Sequence, residues 1–219
     1  MIAVTISIGA RYQRLCEASA CSFRTMTGIN PIVLTERDTI GLPSIHKPHH
    51  LKFFIPECIY TRTKRNDHRI LYFDADIVFI RPFALDFLKR YDNDFAVVRD
   101  EENEGSLEDA NRCGVSHSQY FNSGFMLFNC DIHNPMLKAA YLLTHYYHNN
   151  IFRGDQSFLN IARSKLAIET QWLPSIWNSI NFHKKPNPEA YVAHLNGLSE
   201  ETPEAIEATL ARISHIATK

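Results

Sequence analysis

The chain has 219 residues, of which 45% are hydrophobic and 21% are charged, as in an ordinary globular protein that buries a sizeable core. Its 23 basic and 24 acidic side chains give a net charge of -1. This balance excludes binding to nucleic acid or anionic membranes through overall charge. Five cysteines without a paired short spacing exclude a disulfide framework and a cysteine-rich zinc site. We find neither a signal peptide pattern nor an apolar run of the length that spans a membrane, and we expect a cytoplasmic protein.

The first elements in chain order predict a β-α-β unit. Ala3–Ile8 is typical of a buried strand, Arg11–Met26 carries apolar residues at helical spacing, and Pro31–Thr35 is typical of a second strand. Gly28 is placed to end the helix. Such a unit implies a parallel strand pair with a right-handed crossover.

The rest of the chain continues to alternate strand and helix patterns. We predict strands over Arg69–Ile80, Asp94–Val98 and Tyr120–Asn129, and helices over Leu51–Tyr60, Leu85–Arg90, Pro135–Tyr147, Asp155–Arg163 and Pro203–Ala217. The acidic segment Asp100–Asn111 is predicted to be a loop, either a mobile one or a lid that becomes ordered when a substrate binds. The alternation predicts an α/β protein with a mostly parallel central sheet flanked by helices, as one domain over residues 1–219.

Two carboxylates interrupt the most apolar segment of the chain. Asp74 and Asp76 follow Ile70-Leu71-Tyr72-Phe73 and precede a second apolar run. On a continuing strand both side chains would point to the same side, where they would repel each other unless a cation lies between them. Oxygen ligands of this kind suit Mg²⁺ or Mn²⁺ bound to a nucleotide diphosphate. A simple strand end at Asp-Ala-Asp is the alternative.

The segment Ile70–Val78 resembles the apolar-Asp-X-Asp signature of GT-A glycosyltransferases, in particular glycosyltransferase family 8. Further segments resemble motifs of that family in the same order along the chain. They are Tyr12 after the first strand, Phe121-Asn122-Ser123-Gly124, Gly154-Asp155-Gln156, and Val192–Gly197 with its His194. The resemblance spans roughly residues 3 to 197 and implies a GT-A fold.

The resemblance implies a hexose transfer from a UDP-sugar to a hydroxyl of a glycan-type acceptor (a glycan, glycoprotein or lipid-linked sugar), with Mn²⁺ or Mg²⁺. It favours retention of configuration; an inverting enzyme would instead need a carboxylate base on the acceptor side, for which Asp100 or Asp155 is available. The implied metal ligands are Asp74, Asp76 and His194. The implied catalytic residues are Asn122, Asp155 and Asp100. The implied contacts to the donor are Ile8, Tyr12, Lys52, Asp74, Ala75, Asp76, Asn122, Ser123, Gly124, Gln156 and Gly197.

Each of these residues also has a plain structural interpretation. Asp155 is placed to cap a helix that starts at Gln156 or Ser157, Gly124 is typical of a bulge, and Asp100 belongs to a solvated acidic loop. His194 is one of 11 histidines in the chain.

The chain departs from the family pattern after Gly197. The family usually carries a lysine there that binds the diphosphate, whereas this chain continues with Leu198-Ser199-Glu200-Glu201. Lys184 or Lys185 is an alternative base. The departure leaves a second hypothesis open, a domain that binds nucleotide sugars without turnover. A sugar-1-phosphate nucleotidyltransferase is disfavoured, because Ser7–Arg11 contains a single glycine.

Overall fold

The computed structural model describes residues 1–43, 47–66, 68–91, 95–147 and 154–217. Its strands are β1 (Ile2–Ile6), β2 (Ile32–Leu34), β3 (Arg69–Phe73), β4 (Ile77–Phe79), β5 (Phe95–Arg99), β6 (Phe121–Asn129), β7 (Thr170–Leu173) and β8 (Val192–His194). Its α-helices are α1 (Ala10–Thr27), α2 (Ile55–Thr63), α3 (Asp86–Lys89), α4 (Glu104–Arg112), α5 (Cys130–Tyr146), α6 (Asp155–Lys165) and α7 (Pro203–Ala217). Short 3₁₀ helices cover Glu36–Thr39, Pro48–Phe54, His117–Gln119, Ser175–Trp177 and Leu198–Glu200.

The central sheet has six strands in the order β2-β1-β3-β6-β5-β7. Strand β1 is parallel to β2 and β3, and β5 is parallel to β7, whereas β6 is antiparallel to both of its neighbours. Among the strands described, β6 therefore runs alone against the other five. The predicted α/β class with a mostly parallel sheet is confirmed.

Side chains of β3 alternate between two hydrophobic layers, as the period of a strand requires. Ile70 and Tyr72 pack into the layer that contains Phe53, whereas Leu71 and Phe73 pack into the layer that contains Phe23. All five residues of β3 are buried. The sheet therefore carries a core on both faces, which explains why β3 is apolar from Ile70 to Phe73.

The prediction of one strand over Arg69–Ile80 is wrong. The apolar run divides into β3, which lies in the central sheet, and β4, which pairs with β8 in a separate two-stranded sheet. A turn over Asp74-Ala75-Asp76 joins them, in which the Ile77 amide donates to the Asp74 carbonyl at 3.2 Å. Both halves are buried, so the run is apolar throughout although the chain changes sheet in the middle.

The prediction of a loop over Asp100–Asn111 is also wrong, because most of this segment forms α4. The side chain of Asn103 accepts from the Ser106 amide at 3.0 Å, and the Ser106 hydroxyl accepts from the Asn103 amide at 3.0 Å. This reciprocal cap satisfies two backbone donors that otherwise remain free at a helix start.

Several predicted boundaries shift by a few residues. Helix α1 does end at Gly28, whose backbone adopts φ 73°. The predicted helix over Leu51–Tyr60 is a 3₁₀ helix up to Phe54 and then α2, with Pro56 in the first turn of α2. Helix α5 starts at Cys130, earlier than Pro135. Asp94, the predicted first residue of a strand, lies outside the described residues. β7 and β8 were not predicted.

Candidate active site

The Asp74-Ala75-Asp76 turn is fixed by backbone hydrogen bonds on both sides. The Asp74 amide donates to the Gly124 carbonyl at 2.8 Å, and the Leu195 amide donates to the Asp76 carbonyl at 2.9 Å. The first bond ties the turn to β6, and the second ties it to the residue after β8. The turn, and not strand alternation, therefore brings the two carboxylates together.

His194 ends β8 and lies opposite Ile77 in the β4–β8 pair. Its Nε2 lies 3.3 Å from Oδ1 of Asp76, and one ligand atom each of Asp74, Asp76 and His194 lies within 4.8 Å of the others. Burial alone lowers the pKa of His194, but Asp76 and Asp74 outweigh it, so the pKa is raised. Two carboxylates and one imidazole are a donor set that accepts Mn²⁺ or Mg²⁺.

Gly124 leaves the space that this triad occupies. A Cβ atom at this position would lie 2.3 Å from Cε1 of His194 and 3.0 Å from Oδ2 of Asp74. The register between β5 and β6 shifts here, because Val97 pairs with Met126 and Val98 with Asn122. Such an irregularity re-aims side chains at the edge of a sheet, and it places Asn122, Ser123 and Gly124 beside the turn.

Lys52 lies on the 3₁₀ helix Pro48–Phe54 and contacts Asp74 of the triad. Its Nζ is 2.5 Å from Oδ2 of Asp155 and 3.1 Å from Oδ1 of Asp74, and it donates to Ser123 Oγ at 3.2 Å. The side chain is 1% exposed. Burial lowers the pKa of Lys52, but the two carboxylates more than reverse this effect and raise the pKa.

Asp155 is the first residue of α6 and does not cap the helix; the capping position belongs to Gly154. Besides Lys52, its carboxylate accepts from the Ser123 hydroxyl at 2.8 Å. Burial would raise the pKa of Asp155, but Lys52 and His49 lower it below the ordinary value. Asp155 is therefore an ionised partner of Lys52.

A chain of buried amides connects Asp100 to the site. Gln156 donates to Oδ2 of Asp100 at 2.8 Å and accepts from the Ser123 amide at 3.1 Å. Asn122 donates to Oδ1 of Asp100 at 3.3 Å. Asp100 is 7% exposed, so its interpretation as part of a solvated acidic loop is wrong.

A cavity of about 380 Å³ opens in front of these residues. Its lining residues are Ile6, Ile8, Tyr12, Pro48, His49, Lys52, Tyr72, Asp74, Ala75, Asp76, Asp155, Gly197 and Glu200. A second cavity of about 540 Å³ is lined by Asp100, Asn178 and Lys185, among others. Both cavities thus reach the hydrogen-bonded network around the triad.

The sequence profile of glycosyl transferase family 8 matches residues 17–197. The chain belongs to glycosyl transferase family 8. No sequence among the curated proteins matches the chain.

The fold is also found in solved glycosyltransferase structures. The galactosyltransferase LgtC, solved with donor and acceptor sugar analogues, has a TM-score of 0.65 and 17% identity, covering 100% of this chain and 95% of LgtC.

Two further similar structures extend this comparison. A glycosyltransferase involved in glycosylation of the major capsid of PBCV-1 has a TM-score of 0.60 and 12% identity, covering 95% of this chain and 100% of that one. Mouse xyloside xylosyltransferase 1 has a TM-score of 0.56 and 11% identity, covering 92% of this chain and 99% of that one. At these identities the likeness shows the fold alone.

The predicted catalytic, metal-ligating and donor-contacting residues of this family 8 protein fall into two groups. Ile8, Tyr12, Lys52, Ala75 and Gly197 line the first cavity together with Asp74, Asp76 and Asp155. The other predicted residues do not line this cavity but are connected to it by the contacts given above; they are Asp100, Asn122, Ser123, Gly124, Gln156 and His194. Lys185, proposed as a substitute base, lines the second cavity instead.

Sequence reasoning missed Asn178. Its Nδ2 donates to Oδ1 of Asn122 at 2.9 Å, and its Oδ1 lies 2.9 Å from Nδ1 of His194. Because the amide oxygen faces the imidazole, Nδ1 of His194 carries the proton, and Nε2 is directed at Asp76 and the triad. No spacing marks Asn178, which lies directly after the 3₁₀ helix Ser175–Trp177.

None of the helices in the described ranges is both long and apolar enough to cross a membrane.

Proposed function

We propose that this family 8 glycosyltransferase moves a hexose from a UDP-sugar to an acceptor hydroxyl, with Mn²⁺ or Mg²⁺ bound by Asp74, Asp76 and His194. The convergence of two carboxylates and an imidazole within 4.8 Å, with both carboxylates at the wall of a cavity, carries this proposal. Two carboxylates held this close repel each other unless a cation lies between them. Asn178 holds the imidazole in the tautomer that a metal ligand needs.

The cation would supply Lewis-acid stabilisation of the diphosphate leaving group. Tyr12 and Ile8 lie at the wall of the cavity where the nucleoside base would pack, while Asp155 lies at the wall that would face the sugar. In the transfer the bond from the anomeric carbon to the diphosphate breaks, a bond from that carbon to the acceptor oxygen forms, and the acceptor proton leaves with the diphosphate. We propose retention of configuration.

The protein residues hold this geometry and keep the charges fixed. Lys52 pairs with Asp155 and Asp74, so Asp155 is ionised and oriented before a sugar arrives. Asn122 and Gln156 are oriented by Asp100, which makes Asp100 a positioning group in this proposal. The second cavity, which Asp100 and Asn178 line, is where we propose that the acceptor enters.

The test is a calorimetric titration of UDP into the protein with Mn²⁺, with Mg²⁺ and with EDTA. We expect binding that requires the cation and is lost in Asp76→Asn. Asp86→Asn removes an aspartate that is 78% exposed and serves as the control that keeps binding. A screen of UDP-sugars for hydrolysis and transfer follows, with the anomeric configuration of the product read by NMR.

Absence of UDP binding under all three conditions would overturn the UDP-sugar assignment. Cation-dependent binding of UDP without turnover of any UDP-sugar would support the non-catalytic hypothesis instead, which the missing lysine after Gly197 favours.

A further inference from the structure

The wall of the first cavity is rich in negative charge. Among the described residues that line it, Asp74, Asp76, Asp155 and Glu200 are acidic, whereas the basic side chains are Lys52 and His49. A nucleoside diphosphate is itself an anion, and one divalent cation offsets only part of the combined charge. The cavity therefore needs a further group that favours phosphate.

Lys52 is not available for this purpose. Its Nζ already contacts two carboxylates and the Ser123 hydroxyl, and the side chain is 1% exposed. Moving it to a phosphate would leave Asp155 buried without its counter-charge, and an unpaired buried charge is strongly destabilising. Among the described lining residues, His49 is the basic side chain that remains.

His49 lies one turn before Lys52 on the same 3₁₀ helix, so both side chains share a face. Its ring packs edge-on against His50 with 4.8 Å between centroids. It also abuts the start of α6, since a Cβ on Gly154 would lie 2.8 Å from Nε2 of His49. Gly154 has φ +60°, so the close approach and the backbone conformation both favour glycine there.

We propose that His49 is a binding residue for the diphosphate of the nucleotide donor. This inference rests on the proposed function and adds to it the residue that takes the place of the missing lysine. Nε2 of His49 is buried and has no hydrogen-bond partner among the described residues, and an imidazole donor that reaches a phosphate oxygen would gain a charge-assisted bond.

Burial favours a neutral His49. Burial lowers the pKa of His49, and the opposing effect of Asp155 does not restore the ordinary value. The other charged groups that act on the ring are Lys52, Lys47 and Asp74. A neutral imidazole adds no fixed charge to the cavity wall, and a nearby anion would favour its protonated form.

The experiment compares three ligands on wild type, His49→Ala and His49→Gln. UDP binding is measured by calorimetry at saturating Mn²⁺, Mn²⁺ alone by electron paramagnetic resonance, and uridine alone by ligand-observed NMR. We expect UDP to bind His49→Ala about 10- to 100-fold more weakly, with unchanged affinity for Mn²⁺ and for uridine. His49→Gln keeps a neutral hydrogen-bond donor, and its affinity for UDP should lie between those of wild type and His49→Ala. Lys47→Ala removes an exposed basic residue near the ring and should bind UDP as wild type does.

The two proposals fail in different ways. Unchanged UDP affinity in His49→Ala would overturn the role of His49 and leave the proposed function intact. Equal losses of affinity for UDP, Mn²⁺ and uridine in His49→Ala would show that the ring only packs, and would also overturn the role of His49 in binding the diphosphate. Wild type that does not bind UDP with Mn²⁺ would sink the proposed function, and the role of His49 with it.

Discussion

The two carboxylates of one turn have different kinds of partner. On one side Asp74 contacts Lys52, which is buried and also contacts Asp155. The charges of these three side chains are therefore paired within the protein. On the other side Asp76 meets His194 at 3.3 Å, and His194 is held from behind by Asn178. On the Lys52 side a buried cation is shared by two carboxylates, whereas the His194 side belongs to the candidate metal-ligand triad. Substitutions on the first side should therefore affect folding, and those on the second should affect binding.

The strongest test of this difference is Lys52→Met. It leaves the buried Asp155 and the half-buried Asp74 without their cation, and we expect a loss of about 3–5 kcal/mol in the free energy of unfolding. Urea denaturation in EDTA at neutral pH measures it. Because the pKa of Lys52 is raised, its contribution is fully present at neutral pH and is lost only as the pH rises through that raised value.

Two controls accompany this variant. Lys47→Met, at an exposed position five residues earlier, should change stability by less than about 0.5 kcal/mol. Adding Asp155→Asn to Lys52→Met should restore part of the loss, because one of the two unpaired charges disappears. A loss of less than about 1 kcal/mol in Lys52→Met would contradict the view that this side holds the fold.

A smaller effect, seen mainly in binding, is expected for Gly124→Ala. The added Cβ would collide with Cε1 of His194, and overpacking of this kind costs about 1–3 kcal/mol. We expect the cost to appear chiefly as weaker Mn²⁺ binding, by about 5- to 150-fold, because the imidazole is displaced from Asp76. A Mn²⁺ titration followed by electron paramagnetic resonance checks it. Gly105→Ala, within α4, should bind Mn²⁺ normally, and a Gly124→Ala protein that does the same would refute the close-approach argument.

The smallest effect is expected for Asn178→Ala. It removes the acceptor that orients Nδ1 of His194, and we expect Mn²⁺ affinity to fall by about tenfold, the lower end for groups that support a metal ligand. Asn178→Asp keeps an acceptor oxygen at this position and should lose less. If Asn178→Ala binds Mn²⁺ as tightly as wild type, the His194 side does not depend on its outer partner.

The sequence named residues that the structure brings together, but it did not predict how the chain brings them together. Asp74, Asp76 and His194 were found through local motifs, and the family resemblance is confirmed. The strand argument behind the pair is wrong, because an apolar run over residues 70–80 is compatible with one buried strand or with two strands in different sheets. That choice depends on the pairing of β4 with β8, which is more than 110 residues away in the chain.

Other errors have similar physical causes. The acidic composition of Asp100–Asn111 suggested a loop, yet the cap formed by Asn103 and Ser106 stabilises a helix there. Asn178 and His49 carry no periodic or spacing signal, and their placement follows from packing between distant segments. The roles of the individual site residues and the single domain over residues 1–219 stay predictions.

The pairing of β4 with β8 also determines when the triad can exist. The two aspartates leave the ribosome long before Val192–His194, and until β8 is synthesised β4 has no partner strand and the aspartates have no imidazole. Bringing together such distant segments carries a large loop-closure cost and is slow. A chain emerging from the ribosome therefore passes through most of its synthesis without the triad. If the proposed metal site is correct, tight Mn²⁺ binding would report that β8 has paired with β4, and a pulse of Mn²⁺ during refolding would time that pairing.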